Sequence, residues 1–150
     1  MASTIVPANL TVTISEEVNL NNQPISSKNE LVIANVNEVD KRIMSIPTSS
    51  EVTVVSFATA VAAGTFVRGD FKYVRITNKD TVNYARIRVK KNGADTFDTR
   101  LDAGQSFIMG NTKESVSETA AAFATFQDAD SINMQAYDAA IDIEYFVAST

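Results

Sequence analysis

Two close pairs of carboxylates have the spacing best suited to catalysis in this sequence. Asp95 and Asp98 lie three positions apart, and Asp142 and Glu144 alternate so that they would share one face of a strand. Paired acids of this kind flank the scissile bond in glycoside hydrolases. Acids on an ordinary solvated surface look the same and are far more common. The sequence therefore predicts no enzyme and no catalytic residue.

Other reactive residue types and motifs are missing. The 150-residue chain contains no histidine and no cysteine, so it lacks the usual general base, the commonest metal ligand and any thiolate nucleophile. None of the patterns G-x-S-x-G, H-E-x-x-H and G-x-x-x-x-G-K-[ST] occurs. Residues 128–133 are rich in oxygen ligands, but they lack the glycine and the final acid of an EF-hand loop. A turn is predicted there, with no metal and no cofactor.

Positive charge is concentrated in the middle of this acidic chain. The net charge is -5, yet residues 68–100 carry nine basic and four acidic residues, whereas residues 101–150 carry one and eight. Side chains alternate along a strand, and an adjacent strand is expected to extend the same polar face. The sequence predicts one stripe of basic and tyrosine side chains, formed by Tyr73, Arg75, Tyr84, Arg86, Arg88 and Lys90.

This basic stripe has three interpretations. Arginine interleaved with tyrosine could hold single-stranded nucleic acid, but a sequence pI of about 4.7 argues against a nucleic-acid partner. A solvated face with cross-strand ion pairs and a protein interface both stay open. As an interface, the stripe would meet acidic residues of a neighbouring subunit, and the contact would weaken as salt rises.

The elements that position these residues are predicted to be strands. Apolar residues recur mainly at every second position, which is typical of strands with one buried face. The clearest predicted hairpin covers residues 71–93, a tight turn is expected at Asn92-Gly93, and a last hairpin covers residues 131–147. Residues 115–126 stay open between helix, strand and loop. We predict an all-β chain, a single antiparallel β-sandwich (jelly-roll-like or immunoglobulin-like) with about nine or ten short strands.

The predicted organisation is one domain with a short arm. Residues 1–9 include an isolated Ile5-Val6-Pro7 with no pattern that would bury it, so an extended N-terminal arm is expected, ordered against a neighbour. Residues 10–150 are assigned to the sandwich. No apolar run is long enough to span a bilayer and the first residues lack a signal-peptide pattern, so synthesis in the cytoplasm without a membrane partner is expected.

The segment "KYVRITNKDTVNYARIRVKKNGADTFDTRLDAGQSFIMG", residues 72–110, resembles a segment of small virion structural proteins of tailed bacteriophages. The pattern R-I-T-N-x-D stands at residues 75–80 and the pattern L-x-A-G-x-S-F at residues 101–107. The upstream "TVTISEEVNLNN" and the ending "IDIEYFVAST" are similar to such proteins as well.

This resemblance implies a β-sandwich subunit of a phage particle without enzymatic activity. Its partners would be the major capsid protein or other virion proteins, and a homo-oligomer is expected. The function expected first is that of a capsid decoration or cement protein that stabilises the head. The alternative is a recognition module of the neck, tail or fibre that binds host surface glycan. Either way the protein would be located in the virion.

Overall fold

The computed structural model describes residues 4–91, 96–115 and 126–150, and within these ranges the chain is all-β. The predicted all-β sandwich is confirmed, but thirteen strands form where nine or ten were expected, partly because three strands have only two residues. The turn predicted at Asn92-Gly93 and most of the ambiguous segment 115–126 lie outside the described residues. The strands are β1 (Ala8–Leu20), β2 (Gln23–Val36), β3 (Glu38–Ile46), β4 (Val52–Ala58), β5 (Phe66–Val67), β6 (Phe71–Asn78), β7 (Ala85–Lys90), β8 (Thr96–Leu101), β9 (Ser106–Met109), β10 (Lys113–Glu114), β11 (Gln127–Asp128), β12 (Ser131–Ala136) and β13 (Ile141–Ser149).

Two sheets face each other across one hydrophobic core. The first has the order β5-β4-β12-β7-β8 and the second the order β3-β13-β6-β9. All their pairs are antiparallel except the short parallel pair of β4 and β5. Alternate residues of each strand point inward, as the period of two requires. The fully buried core side chains with the largest volumes are Ile46, Ile76, Ile87, Ile132, Met134, Ile141 and Ile143.

The hairpin predicted over residues 71–93 does not form. Strand β6 belongs to the four-stranded sheet and β7 to the five-stranded sheet, so the chain between them crosses from one layer to the other. The last predicted hairpin is wrong for the same reason, because β12 and β13 also lie in different sheets. Alternation of apolar residues fixes which side chains are buried, but it is identical for two paired strands and for two strands that face each other across a core.

Two turns join the layers at one end of the sandwich, and each contacts the other. Asn78 is fully buried; its side-chain amide donates to the carbonyl oxygens of Asn83 (2.9 Å) and Leu101 (3.3 Å), and its side-chain oxygen accepts from the Asp80 amide (2.9 Å). The Gly104 amide donates to the Asn78 carbonyl (3.1 Å), at a positive φ of 75° that suits glycine. The two patterns that carry the phage resemblance therefore form one hydrogen-bonded unit.

Strands β1 and β2 form a separate two-stranded ribbon, with twelve of the thirteen β1 residues in register with β2. Its tip is the Asn21-Asn22 pair, both at positive φ, as a two-residue hairpin turn requires. At its base the register shifts between Ala8 and Leu10, opposite Asn35 with a φ of 61°. This irregularity is a β-bulge, a feature that bends a strand and re-aims it.

Because of the ribbon, the sandwich begins later in the chain than the sequence pattern predicted. The ribbon strands pair only with each other, so the sandwich sheets begin at Glu38, although the sequence pattern assigned residues from 10 onward to the sandwich. Residues 4–7 are exposed and lie outside any strand, and Ala8 opens β1. The arm proposed for residues 1–9 stays a prediction, and its last two residues, Ala8 and Asn9, are the first residues of β1.

Candidate functional site

The basic residues of β7 lie on the outer face of the five-stranded sheet, where carboxylates of the same chain bind them. Glu51, just before β4, accepts from Arg86 Nη2 (2.9 Å), from Arg88 Nη1 (3.2 Å) and from Lys90 Nζ. Asp98 lies opposite Arg88 on β8 and accepts from its Nε (2.7 Å) and Nη2 (2.6 Å). We call these five residues the Glu51 cluster. Part of the positive charge predicted to face a partner is thus paired within the chain.

The cluster keeps its carboxylates ionised. Burial alone would raise the pKa of Glu51, but hydrogen bonds from Lys90 and Asn133 and the nearby cations outweigh it and hold the pKa below its usual value. A hydrogen bond from Arg88 lowers the pKa of Asp98 in the same way. Neither carboxyl is suited to act as a general acid near neutral pH, because a general acid needs a raised pKa. The cluster is therefore an ion-pair network and offers no acid catalyst.

Tyr84 stands at the end of the same face in a stack of three side chains. The guanidinium carbon of Arg100 lies 3.7 Å from the centre of the Tyr84 ring, and the Tyr137 ring stacks on Tyr84 at 4.9 Å with an interplanar angle of 14°. Tyr137 is 64% exposed. The stack places an aromatic ring in contact with solvent at the sheet surface.

Tyr73 and Arg75 lie on the opposite side of the molecule. They belong to β6, and their side chains lie on the outer face of the four-stranded sheet, so the predicted six-residue stripe is divided between two surfaces. Tyr73 is buried against Val36 and Ala148 at the base of the ribbon. Arg75 binds Glu144 on β13 through Nη2 at 2.5 Å. The error follows from the misassigned hairpin, since only a paired β6 and β7 would bring these residues together.

Of the acids considered for catalysis, Glu144 and Asp98 are bound by arginine side chains. Asp142 is exposed, whereas Glu144 binds Arg75 and lies 3.8 Å from Lys41, and the hydrogen bond from Arg75 lowers its pKa. Asp95 lies outside the described residues. In the loop considered for calcium, Asp130 binds Arg68.

A cleft of about 510 Å³ lies between β3, β4 and residues 62–66. Tyr145 Oη donates to Asp40 (2.8 Å), and Arg42 Nε donates to the same carboxylate (3.1 Å). Burial first, and then the hydrogen bond to Asp40, raise the pKa of Tyr145 to about 12. These polar groups satisfy one another, so a ligand entering the cleft would have to displace existing contacts.

The Glu51 cluster makes stability depend on pH in a defined direction. Because the pKa values of Glu51 and Asp98 are lowered on folding, their stabilisation is fully present above the unfolded-state values of about 4 and is lost as pH falls through the folded-state values. We expect Glu51→Gln to cost about 1–3 kcal/mol at pH 7 and to have a shallower loss of stability between pH 7 and acid than the wild type.

Thermal melts across this range test the expectation. The matched control is Glu30→Gln, whose exposed carboxylate pairs with Lys28 at 2.8 Å on the ribbon, and which should melt like the wild type. Equal acid slopes for Glu51→Gln and the wild type would show that the cluster does not set the pH dependence.

The ribbon is the feature that sequence reasoning missed as a functional element. One face is mostly polar. The other face carries exposed apolar side chains, interrupted by Glu16, Gln23, Ser27 and Asn29: Ile14, Val18, Leu20, Ile25 and Leu31. The alternation of apolar and polar residues from Leu10 to Leu20 does indicate a strand with one apolar face, but a strand of the sandwich and a strand of a separate ribbon have the same pattern. Apolar side chains exposed to water in this number on one element are typical of a contact surface.

No family model, curated protein or solved structure matches this chain. No helix among residues 4–91, 96–115 and 126–150 is long and apolar enough to cross a membrane. Within the described part of the chain, no group of three or more acidic side chains is placed to hold a metal ion.

Proposed function

We propose that this chain is a non-enzymatic structural protein of a phage virion, of the capsid decoration or cement type. It would stabilise the head through contacts with the major capsid protein or other virion proteins and would act as a homo-oligomer. The resemblance of residues 72–110 to phage virion proteins supports the assignment to a virion. The β-sandwich agrees with what that resemblance implies.

The projecting ribbon is the single observation that carries an assembly role. A two-stranded hairpin is only marginally stable alone in water, yet here it extends for 13 and 14 residues and leaves its apolar face exposed. Burial of apolar surface on a partner would stabilise it by about 25 cal/mol per Å². An assembly subunit has a use for such an element, whereas an isolated domain would only incur a solubility cost.

Copy counting by mass spectrometry of purified particles tests the proposal. A decoration protein should be present in numbers comparable to those of the major capsid protein. A copy number of only a handful per particle would assign the protein to the neck or tail, and absence from the particle would contradict a virion role altogether.

The exposed ring of Tyr137 favours one alternative, a tail or fibre module that binds host surface glycan. Sugar sites on β-sandwiches use exposed aromatic faces, and Tyr137 presents one that is supported from behind by Tyr84 and Arg100. Binding on a glycan array that Tyr137→Ala abolishes would support this alternative. A clean negative array, together with firm attachment to empty heads, would eliminate it.

A further inference from the structure

The two faces of the ribbon differ sharply in chemistry. Residues paired across an antiparallel ribbon share a face. The register thus sets Val12 beside Leu31 and Val18 beside Ile25 on one face. The opposite face is mostly polar, with pairs such as Thr13 with Glu30 and Ser15 with Lys28. We call the first surface the apolar ribbon face.

The base of the apolar ribbon face already shows what it packs against. Leu10, Val12 and Ile33 pack together with Val36 of β2 against Tyr73, Phe146 and Ala148 on the outer face of the four-stranded sheet. Beyond these contacts the same face continues to the tip without cover, because Leu31 is 55% exposed and Leu20 is 56% exposed. The base of the ribbon therefore packs on an apolar patch of the sheet, whereas the apolar side chains near its tip have no such patch to pack on.

The four-stranded sheet also has outward apolar side chains that its own ribbon does not cover, on either side of the Arg75–Glu144 ion pair. Val39 and Ile43 on β3 and Ile108 on β9 point outward and are exposed, Ile43 to 68%. Between them Lys41 is well exposed and lies 3.8 Å from Glu144. We call this the outer sheet face.

Charge on the two faces is complementary. Glu16 interrupts the apolar ribbon face between Ile14 and Val18, and it has no ion-pair partner among the described residues. The outer sheet face offers the Lys41 ammonium, whose nearest carboxylate, Glu144, is also bound by Arg75. A ribbon docked on this sheet can bring Glu16 close to Lys41, which fixes register more than it adds affinity.

We propose that the uncovered half of the apolar ribbon face docks on the outer sheet face of a second copy of this chain, and that two copies exchange ribbons. The inference rests on the proposed assembly role for its biological meaning, but its test needs only the purified chain.

The size of the contact favours a reciprocal exchange over a single docking. The uncovered part of the ribbon is about 25 Å long and about 10 Å wide, a footprint of about 250 Å². One docking, counting both partners, buries about half of the roughly 1,000 Å² that a stable interface needs. Two dockings related by a two-fold axis reach that size, and in such a dimer every substitution acts twice.

Two adjacent residues of β2 provide a matched pair of variants. Leu31 is 55% exposed on the apolar ribbon face, and Val32 is 57% exposed on the opposite face. We expect the wild type to be dimeric at micromolar concentration. Leu31→Ser should weaken the dimer about tenfold per docking site, hence about a hundredfold overall, whereas Val32→Ser should leave it unchanged. Analytical ultracentrifugation measures both, with circular dichroism as the check of folding.

The absence of cysteine from the chain allows a direct test of which surfaces meet. Val18→Cys on the ribbon and Ile43→Cys on the sheet are made as separate proteins, mixed, and treated with a short bismaleimide linker. Ribbon exchange predicts a cross-linked product that contains one copy of each variant. The control pairs Val18→Cys with Val82→Cys, an exposed position in the turn between β6 and β7 that is no part of the outer sheet face as defined, and should give no such product.

Each contrary result overturns the inference. A monomeric wild type at high micromolar concentration would eliminate self-association. Equal effects of Leu31→Ser and Val32→Ser would show that the apolar ribbon face is not the contact. A product containing only Val18→Cys would show that ribbons pack on each other instead of on the sheet. Ribbon exchange with no incorporation into particles would leave this inference standing and remove the virion role.

Discussion

Replacing Ile87 by aspartate is expected to unfold the sandwich. Ile87 lies at the centre of β7, fully buried, and pairs with Met134 on β12 and Thr99 on β8. The substitution removes a large apolar side chain and places a carboxylate where no described cation can reach it. The combined cost of the cavity and of the buried unpaired charge is about 4 kcal/mol or more, a large part of the stability of a single domain. Urea unfolding followed by circular dichroism measures the loss.

The neighbouring residue provides the control. Arg86 lies on the opposite face of the same strand. Arg86→Gln removes its ion pairs with Glu51 (2.9 Å) and Asp98 (4.0 Å), so a cost of about 1 kcal/mol is expected. Glutamine is preferred to a charge reversal, because a carboxylate at that position would lie beside Glu51 and Asp98 and would confuse repulsion with loss of assembly. An Ile87→Asp variant that stays as stable as Arg86→Gln would disprove the assigned core face of β7.

The sequence pattern predicted burial far better than it predicted pairing. Alternation places Ile141, Ile143, Tyr145 and Val147 on one face of a strand, and all four are buried in the core, as are Ala85, Ile87 and Val89. Burial follows from the two-residue period alone. Pairing depends on whether the loop between two strands returns the chain to the same sheet or carries it to the other sheet. Alternation does not distinguish these two cases.

The turn between β6 and β7 shows why pairing was missed. The "TNKDTVN" segment has the composition of a hairpin loop, but Asp80 Oδ1 accepts from the amides of Val82 and Asn83, both at 2.7 Å. These bonds turn the chain locally without requiring the flanking strands to pair. The polar residues that suggested a hairpin instead form a turn that connects the four-stranded sheet to the five-stranded sheet.

The predicted basic stripe was wrong for the same reason, because alternation does not show which strands pair. Arg86, Arg88 and Lys90 were correctly placed on one face of β7, because that needs only alternation. Their carboxylate partner Glu51 lies 35 to 39 positions away in sequence, brought close by the contact of β4 with β12 and of β12 with β7. Only the strand order reveals that partner, so the sequence suggested a free positive face where the fold builds an internal network.

Ion pairs and exposed apolar side chains are concentrated on different surfaces of this chain. The outer face of the five-stranded sheet carries a largely self-neutralised network, whereas the ribbon and the four-stranded sheet expose apolar side chains such as Val18, Ile25 and Ile43. Contacts made through that apolar surface should resist salt, in contrast to the salt-sensitive contact expected for a basic stripe.

Replacing Asn78 by aspartate is expected to be the most informative change to the loops. The two side chains have nearly the same shape, but aspartate cannot donate the two hydrogen bonds to the Asn83 and Leu101 carbonyl oxygens. A fully buried carboxylate would instead face those oxygens, at a cost of about 3–5 kcal/mol. Because Asn78 also links the turns at Asp80 and Gly104, both turns should loosen together.

The cost should depend on pH in the direction opposite to that of the Glu51 cluster. Burial beside carbonyl oxygens raises the pKa of the introduced carboxyl above its unfolded value of about 3.9, so the folded state binds more protons and stability falls as pH rises through that window. The difference in unfolding free energy between the variant and the wild type should therefore shrink from pH 7 to pH 4, since the protonated acid can donate one bond. Asn111→Asp is the control: its exposed side chain only accepts, from the Lys113 amide at 2.8 Å, and aspartate keeps that bond. Equal, pH-independent effects of the two substitutions would mean that the Asn78 amide does not hold the two turns together.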